Sequence, residues 1–141
     1  MAEAARFPYV ELDSVLGAAS SLPYLPLTLT YNDRSLAVSG LVDSGATVNV
    51  LPFQIGEQIG AAWDRQTTAI QLTGNLAGFD ARALVLSATV GQFSPVRLAF
   101  AWTHASDVPL ILGQVNFFLE FDACFYRSQS YFDVRRKEHP R

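Results

Sequence analysis

The sequence predicts an all-β domain, a small and mostly antiparallel barrel with one short helix near its C-terminal end. Short runs of alternating apolar and polar residues recur along the chain, and turn residues separate them. There are about eight such runs, which is the pattern of a small closed barrel. Half of the 141 residues are hydrophobic and 16% are charged, so a packed core is expected.

The first regular element begins after an N-terminal extension, residues 1–21, in which small side chains predominate and residues 13–21 could form a short helix or a loop. Leu25, Leu27 and Leu29 then alternate with other residues, which is the period of a half-buried strand. The turn sequence Asn-Asp-Arg-Ser follows. It leads into a second apolar run, and the two runs predict a hairpin.

The central loop is the next feature with a clear pattern. Gly74 and Gly78 bracket a short loop with Leu76 at its tip, between two extended runs within residues 67–90. Glycine at both ends predicts a mobile hairpin. The other predicted elements are an extended piece over residues 49–52, a helical turn over 55–63, strands over 96–102, 106–113, 123–127 and 130–136, and a helix over 114–121.

Charge and composition exclude several classes of function. The net charge of −3 gives no electrostatic reason to expect nucleic-acid binding. No apolar run approaches the roughly 18 residues of a membrane-spanning helix, and residues 1–14 lack the pattern of a secretory signal, so the cytoplasm is the expected location. Cys124 is the only cysteine, which excludes an internal disulfide, and it is expected to be a buried or half-buried thiol. Residues 135–141 are interpreted as a solvated basic tail.

Several kinds of chemistry are also excluded. The chain has no glycine-rich phosphate loop followed by lysine and no histidine or cysteine cluster with metal-ligand spacing, so neither a cofactor nor a metal is expected. Its two histidines are His104, interpreted as a loop residue, and His139, interpreted as a solvated one. Ser44 does not fit a nucleophile elbow, because Val42 stands where the first glycine should be.

The remaining candidate is Asp43, which follows an apolar run and enters a tight turn of small residues. A carboxylate in apolar surroundings normally has a partner. The sequence here resembles the retropepsin-like aspartic proteases in three segments. Leu-Val-Asp-Ser-Gly-Ala at 41–46 resembles their catalytic turn, Leu-Ile-Leu-Gly at 110–113 the strand beneath it, and Gly-Asn-Leu-Ala-Gly at 74–78 their flap. The resemblance covers about residues 22–134.

The resemblance implies an aspartic endopeptidase. In these enzymes two carboxylates are well known to share one proton: one activates water as a general base and the other polarises the peptide carbonyl. This chain supplies one Asp-Ser-Gly turn, since Asp13 and Ser14 are followed by Val15 instead of glycine. A symmetric homodimer would therefore complete the site and place Asp43 beside its counterpart in the second chain.

The resemblance also implies a role for each matching residue. The expected catalytic residues are Asp43, Ser44 and Gly45, where glycine permits the tight turn and the serine hydroxyl reaches across to the other chain. Substrate-binding residues would be Ala46, Val48, Gly74, Asn75, Leu76, Ala77, Gly78, Val108, Pro109 and Ile111, and Leu112 and Gly113 would support the site. None is charged, so peptide or protein substrates with apolar side chains at the cleavage site are expected.

Two positions depart from the retroviral pattern. Members of the family commonly carry an acidic residue soon after the catalytic turn and an arginine after the apolar-apolar-Gly segment, and these form an ion pair near the dimer interface. Thr47 and Gln114 stand at the corresponding positions, which leaves open how the dimer contact is made. The alternative function is a catalytically silent, dimeric peptide-binding module of the same fold, against which the intact Asp43 argues.

Overall fold

Eleven strands and two short α-helices lie in residues 3–105 and 107–138, the parts of the chain that the computed structural model describes. Six strands close into a barrel: β4 (Tyr24–Tyr31), β5 (Arg34–Val42), β6 (Asn49–Pro52), β7 (Ala81–Thr89), β8 (Val96–Thr103) and β9 (Ile111–Leu112). Three form a terminal sheet: β1 (Ala4–Pro8), β10 (Phe121–Tyr126) and β11 (Tyr131–Arg136). The others are a short ribbon of β2 (Val10–Glu11) and β3 (Ser21–Leu22), and helices α1 (Phe53–Gln58) and α2 (Phe117–Glu120).

The barrel confirms the predicted fold class and adds two parallel pairs to it. Its strands follow the order β4-β5-β9-β6-β8-β7. Strand β5 pairs in parallel with β9, and β6 pairs in parallel with β8, whereas the other neighbouring strands are antiparallel. The short strand β9 therefore lies between β5 and β6, at the centre of the part of the barrel that carries the candidate site.

The β4–β5 hairpin forms as the alternating pattern predicts. Leu25, Leu27 and Leu29 are buried, and the register runs from Tyr24 opposite Leu41 to the end of the turn. Asn32 takes a positive φ of 54° in that turn, a conformation that asparagine tolerates better than most residues. The pairing brings the last residues of β5 to the same end of the barrel as the start of β4.

The main core is a large apolar cluster that contains several aromatic side chains. Trp102, Phe100 and Phe117 are fully buried in it. The indole Nε1 of Trp102 donates to the carbonyl oxygen of Phe53 at 3.1 Å, so its polar atom is also satisfied. This packing fixes α1 and α2 against the barrel.

The terminal sheet includes part of residues 1–21, the segment that was predicted to be an N-terminal extension. Strand β1 pairs antiparallel with β11, and Phe7 packs against the core cluster. Arg6 forms an ion pair with Asp133 on β11 at 2.8 Å. Arg135 and Arg136, assigned to the basic tail from the sequence, lie within β11. Both ends of the described chain thus form one sheet.

Four predictions differ from the structure, three about elements and one about Cys124. The helix predicted over 114–121 is one turn, and the strand predicted over 106–113 is the two-residue β9, with residue 106 outside the described residues. Residues 67–73 form one isolated bridge instead of a strand, because Leu72 turns into a small apolar cluster. The prediction of a buried Cys124 was wrong: its side chain lies on the exposed face of β10. None of the described helices is long and apolar enough to cross a membrane.

Candidate active site

Residues 43–47, called the catalytic turn after the family segment that they resemble, begin where β5 ends beside β9. The amide of Asp43 donates to the carbonyl oxygen of Leu112 at 3.0 Å, which ties the turn to β9. Within the turn, the amide of Ala46 donates to the carbonyl oxygen of Asp43 at 3.1 Å, and the amide of Gly45 donates to the carboxylate Oδ1 of Asp43 at 3.0 Å. The half-buried carboxylate of Asp43 is therefore held at the start of the turn by a backbone amide of the same turn.

Glycine is favoured at position 45 by lack of space. Its φ is outside the left-handed region. A Cβ atom there would lie 3.3 Å from Oδ1 of Asp43, tighter than ordinary van der Waals contact. Any side chain at position 45 would therefore crowd the carboxylate that the Gly45 amide contacts.

Gly113 lies directly beneath the turn. A Cβ atom at this position would be 2.5 Å from the carbonyl oxygen of Val48 and 2.8 Å from that of Ala46. Distances this short require the backbone to move. The apolar-apolar-Gly segment and the catalytic turn therefore fit together only because position 113 has no side chain.

The residues after Gly113 extend this contact. The amide of Gln114 donates to the carbonyl oxygen of Ala46 at 2.9 Å, and the amide of Val115 donates to that of Thr47 at 2.9 Å. The side chain of Gln114 adds a bond from Nε2 to the carbonyl oxygen of Ser44 at 2.8 Å. Gln114 thus braces the turn within its own chain as a neutral amide.

A buried amide supports the turn from the barrel side. The side chain of Asn49 is completely buried, and its Oδ1 accepts from the amide of Gly113 at 2.8 Å. Its Nδ2 donates to the carbonyl oxygen of Ala99 at 3.1 Å and to Oδ1 of Asn116 at 3.2 Å. This amide thereby links β6 and β8 to the segment beneath the catalytic turn.

Asn116 completes the network. Its Oδ1 also accepts from the amide of Ala99 at 2.9 Å, and its Nδ2 donates to the carbonyl oxygen of Arg97 at 3.1 Å. Neither Asn49 nor Asn116 was predicted as a site residue from the sequence. The sequence held a weak signal for Asn49. Asparagine is disfavoured in strands, so its presence within an apolar run could have indicated a side chain that bonds to backbone groups.

A cavity of about 130 Å³ lies beside the catalytic turn. It brings together five of the residues predicted for the site: Gly45, Ala46, Val48, Leu76 and Ile111. It is also lined by five that were not predicted: Thr47, Val50, Gln71, Leu72 and Thr73. Typical ligand pockets measure about 300–1,000 Å³, so this cavity is smaller than most of them.

The predicted flap residues are only partly in contact with this cavity. Leu76 packs against the apolar cluster of Val50 and Leu72, which also includes Val108. Gly74 has a φ of +65°, and a Cβ atom there or at Gly78 would meet nothing within 4 Å. The loop therefore stands clear of the barrel except at its apolar tip.

The other predicted residues lie around this arrangement. Ala77 and Gly78 line a separate surface hollow, and Asn75 and Pro109 are exposed and do not line the cavity. Leu112 is fully buried in the main core beneath β5. Larger hollows lie elsewhere, including one of about 350 Å³ between β1 and residues 91–93, away from the catalytic turn.

The residues that could have supported another chemistry are differently placed. Within residues 3–105 and 107–138, no three His, Cys, Asp or Glu side chains are grouped so that they could hold a metal ion. His104 packs edge-on against Phe53 and at a tilt against Trp63, with ring centroids 4.4 and 4.1 Å apart. His139 lies outside the described residues.

Comparisons with known proteins agree with this geometry. No protein-family model and no curated protein sequence matches the chain. Among solved structures it is similar to a retropepsin-like aspartic protease from Rickettsia conorii, with a TM-score of 0.61 and 12% identity over 96% of this chain and 94% of that one. It is also similar to the retroviral protease-like domain of Ddi1 from Leishmania major, with a TM-score of 0.56 and 15% identity over 72% and 79%. The chain therefore has the retropepsin-like fold.

Proposed function

We propose that this protein is an aspartic endopeptidase that is active as a homodimer. The observation that carries the proposal is the position of Asp43, in an Asp-Ser-Gly turn that rests on Gly113 and whose Gly45 and Ala46 line the uncharged cavity, the proposed half-cleft. The retropepsin-like fold supports it.

The proposed reaction uses one Asp43 from each chain. One carboxylate accepts a proton from a water molecule, and the water oxygen forms a bond to the carbonyl carbon of the peptide. The other carboxyl, protonated, donates a hydrogen bond to the carbonyl oxygen and stabilises its developing charge. The tetrahedral intermediate then collapses as the amide nitrogen receives a proton and leaves as an amine. The two carboxyls are left sharing one proton again.

The lining of the half-cleft suggests the substrate class. Its side chains include Val48, Val50, Leu72, Leu76 and Ile111, and none of the ten lining residues is charged. A charged side chain bound there would lose its hydration without gaining a partner. We therefore expect cleavage between apolar or aromatic residues, with the tip of the 74–78 loop closing over the peptide.

The test is peptide cleavage by the wild type and by Asp43→Asn, with a peptide library in the presence and absence of a statine-type inhibitor. Asparagine has nearly the same shape but cannot act as a general base, so activity should fall by about a hundredfold or more. Asp64→Asn changes an exposed carboxylate outside the site and is the matched control. Retained activity in Asp43→Asn would contradict the mechanism. A wild type that binds peptides but cleaves none would identify the binding module instead.

A further inference from the structure

An ordered arm at the N-terminal side of β4 exposes several large apolar side chains. The arm is residues 10–22, which contain β2, β3 and the single 3₁₀ turn between them. Val15 is 91% exposed, Leu16 is 62% exposed and Leu12 is 56% exposed. Single exposed apolar residues are common on protein surfaces, but a group of them on one short segment indicates an interaction site.

Hydrogen bonds hold the arm in this conformation. The amide of Val15 donates to Oδ1 of Asp13 at 2.8 Å, and the amide of Asp13 donates to the hydroxyl of Ser20 at 2.9 Å. Arg127, from the turn between β10 and β11, donates to the carbonyl oxygen of Ala18 at 2.8 Å. The apolar side chains are thus presented on an ordered support, which lowers the entropy that binding would cost.

The arm adjoins the catalytic turn. The residue between the arm and β4, Pro23, accepts a hydrogen bond from the amide of Val42 at 3.1 Å. Val42 immediately precedes Asp43. The arm therefore leaves the barrel at the end of β5 where the half-site lies.

A second exposed apolar segment lies on the opposite side of β5. Strand β5 has β4 as one neighbour and β9 as the other. The chain that precedes β4 is the arm, and the chain that follows β9 contains Val115, 52% exposed, and Leu119, 60% exposed. The arm and residues 114–119 consequently flank the catalytic turn from its two sides.

We propose that the arm is the clasp of the homodimer, and that its apolar side chains pack on residues 114–119 of a second copy. The inference rests on the proposed function, which requires a two-fold axis beside Asp43. With that axis perpendicular to the line that joins the two flanking segments, the arm of each chain faces residues 114–119 of the other.

The area that a stable interface needs and the pairing of strand β1 both favour a second copy of the chain as the partner of the arm. A stable interface buries about 800 Å² of each partner, more than a five-residue turn can supply, and the two flanking segments provide the additional apolar surface. Strand β1 does not provide it by exchange, because it is already paired with β11 of its own chain from Ala4 to Pro8. The arm and residues 114–119 are thus two apolar segments beside the turn that their own chain leaves exposed.

The first test compares Val15→Lys with Val85→Lys in the full chain. Val85 is an exposed valine on β7, a strand that is not a neighbour of β5 or β9 in the barrel, so the same change there is the matched control. Sedimentation equilibrium should show a dimer dissociation constant raised about tenfold or more for Val15→Lys and almost unchanged for Val85→Lys. Circular dichroism checks that both variants are folded.

The second test measures proximity. In a Cys124→Ser background, chains carrying Val15→Cys are mixed with differently tagged chains carrying Leu119→Cys and treated with a short bismaleimide. A cross-linked heterodimer is expected from this mixture and not from the control mixture of Val15→Cys with Val85→Cys. Equal cross-linking in both mixtures would overturn the arm contact.

The outcomes separate this inference from the proposed activity. A wild-type dimer that cleaves no peptide, but whose Val15→Lys variant dissociates, supports the arm contact and contradicts the endopeptidase. A dimer whose dissociation constant is the same in both lysine variants overturns the arm contact and leaves the endopeptidase standing. A chain that stays monomeric at every concentration overturns the contact and, with it, the shared half-site.

Discussion

Replacing Asn49 with alanine tests whether the buried amides hold the catalytic turn in place. The substitution removes the acceptor of the Gly113 amide, the donor to the carbonyl oxygen of Ala99 and one bond to Asn116. Asn49 has no exposed surface, so water cannot readily take over these bonds. The amide beneath the turn would lose the one partner that the structure gives it.

The size of the effect follows from the bonds that are lost. A buried polar group left without a partner costs about 1–3 kcal/mol. The Gly113 amide loses its partner and contributes the full cost, and the carbonyl of Ala99 contributes part of it. Oδ1 of Asn116 contributes very little, because it keeps its bond from the Ala99 amide. We expect the free energy of unfolding to fall by about 2–4 kcal/mol, out of a total of about 5–15 kcal/mol for a domain of this kind.

Urea unfolding followed by tryptophan fluorescence measures this loss, and the dependence on urea should keep its slope because the fold is unchanged. Asn75→Ala, in the exposed loop, is the control and should change the free energy of unfolding by less than about 0.5 kcal/mol. Combining Asn49→Ala with Asn116→Ala should cost less than the sum of the two, since the residues share a bond. A loss below about 1 kcal/mol for Asn49→Ala, with peptide cleavage intact, would refute the bracing role.

Three other substitutions test separate features. Gly113→Ala should lower both stability, by about 1–3 kcal/mol, and peptide cleavage, because its Cβ would lie 2.5 Å from the carbonyl oxygen of Val48; urea unfolding and an activity assay measure the two effects. Leu76→Ser should raise KM for apolar peptides while the melting temperature stays nearly constant, since Leu76 is only half buried at the loop tip. The Arg6 guanidinium holds the pKa of the Asp133 carboxyl below its usual value, so the stabilisation is present at neutral pH and disappears as pH falls through that lowered pKa. Asp133→Asn should therefore lower the melting temperature at pH 7 and have less effect as the pH is reduced below about 4.

Local patterns predicted the parts of the fold that depend on neighbouring residues. The alternation of Leu25, Leu27 and Leu29 was sufficient for β4, because burial of one strand face leaves a period of two in the sequence. Strand β1 carried no comparable signal. Its bonding partner β11 lies about 130 residues later, as the ion pair of Arg6 with Asp133 shows, and pairing at such distance leaves no local pattern.

The candidate site likewise contains some residues that local sequence patterns predict and others that they do not. The turn at Asp43 could be recognised from its sequence, because an Asp-Ser-Gly turn after an apolar strand is a local feature. The lining residue Leu72 could not be recognised in this way. The sequence around it has the pattern of a paired strand, and this pattern does not indicate that Leu72 packs in the cluster around Val50. Asn49 was missed for a related reason: its bonds reach backbone groups 50 and 64 residues away.

The described side-chain hydrogen bonds that brace the turn are made by neutral groups. Thr47 and Gln114 are both neutral, so neither position carries an unpaired charge. Gln114 reaches the carbonyl oxygen of Ser44, and Asn49 reaches the amide of Gly113. Hydrogen bonds between neutral groups contribute about 0.5–1.5 kcal/mol each, do not titrate, and are little affected by salt, whereas exposed ion pairs are screened. In the proposed homodimer, these neutral hydrogen bonds keep the turn fixed while the carboxyl of Asp43 gains and loses a proton.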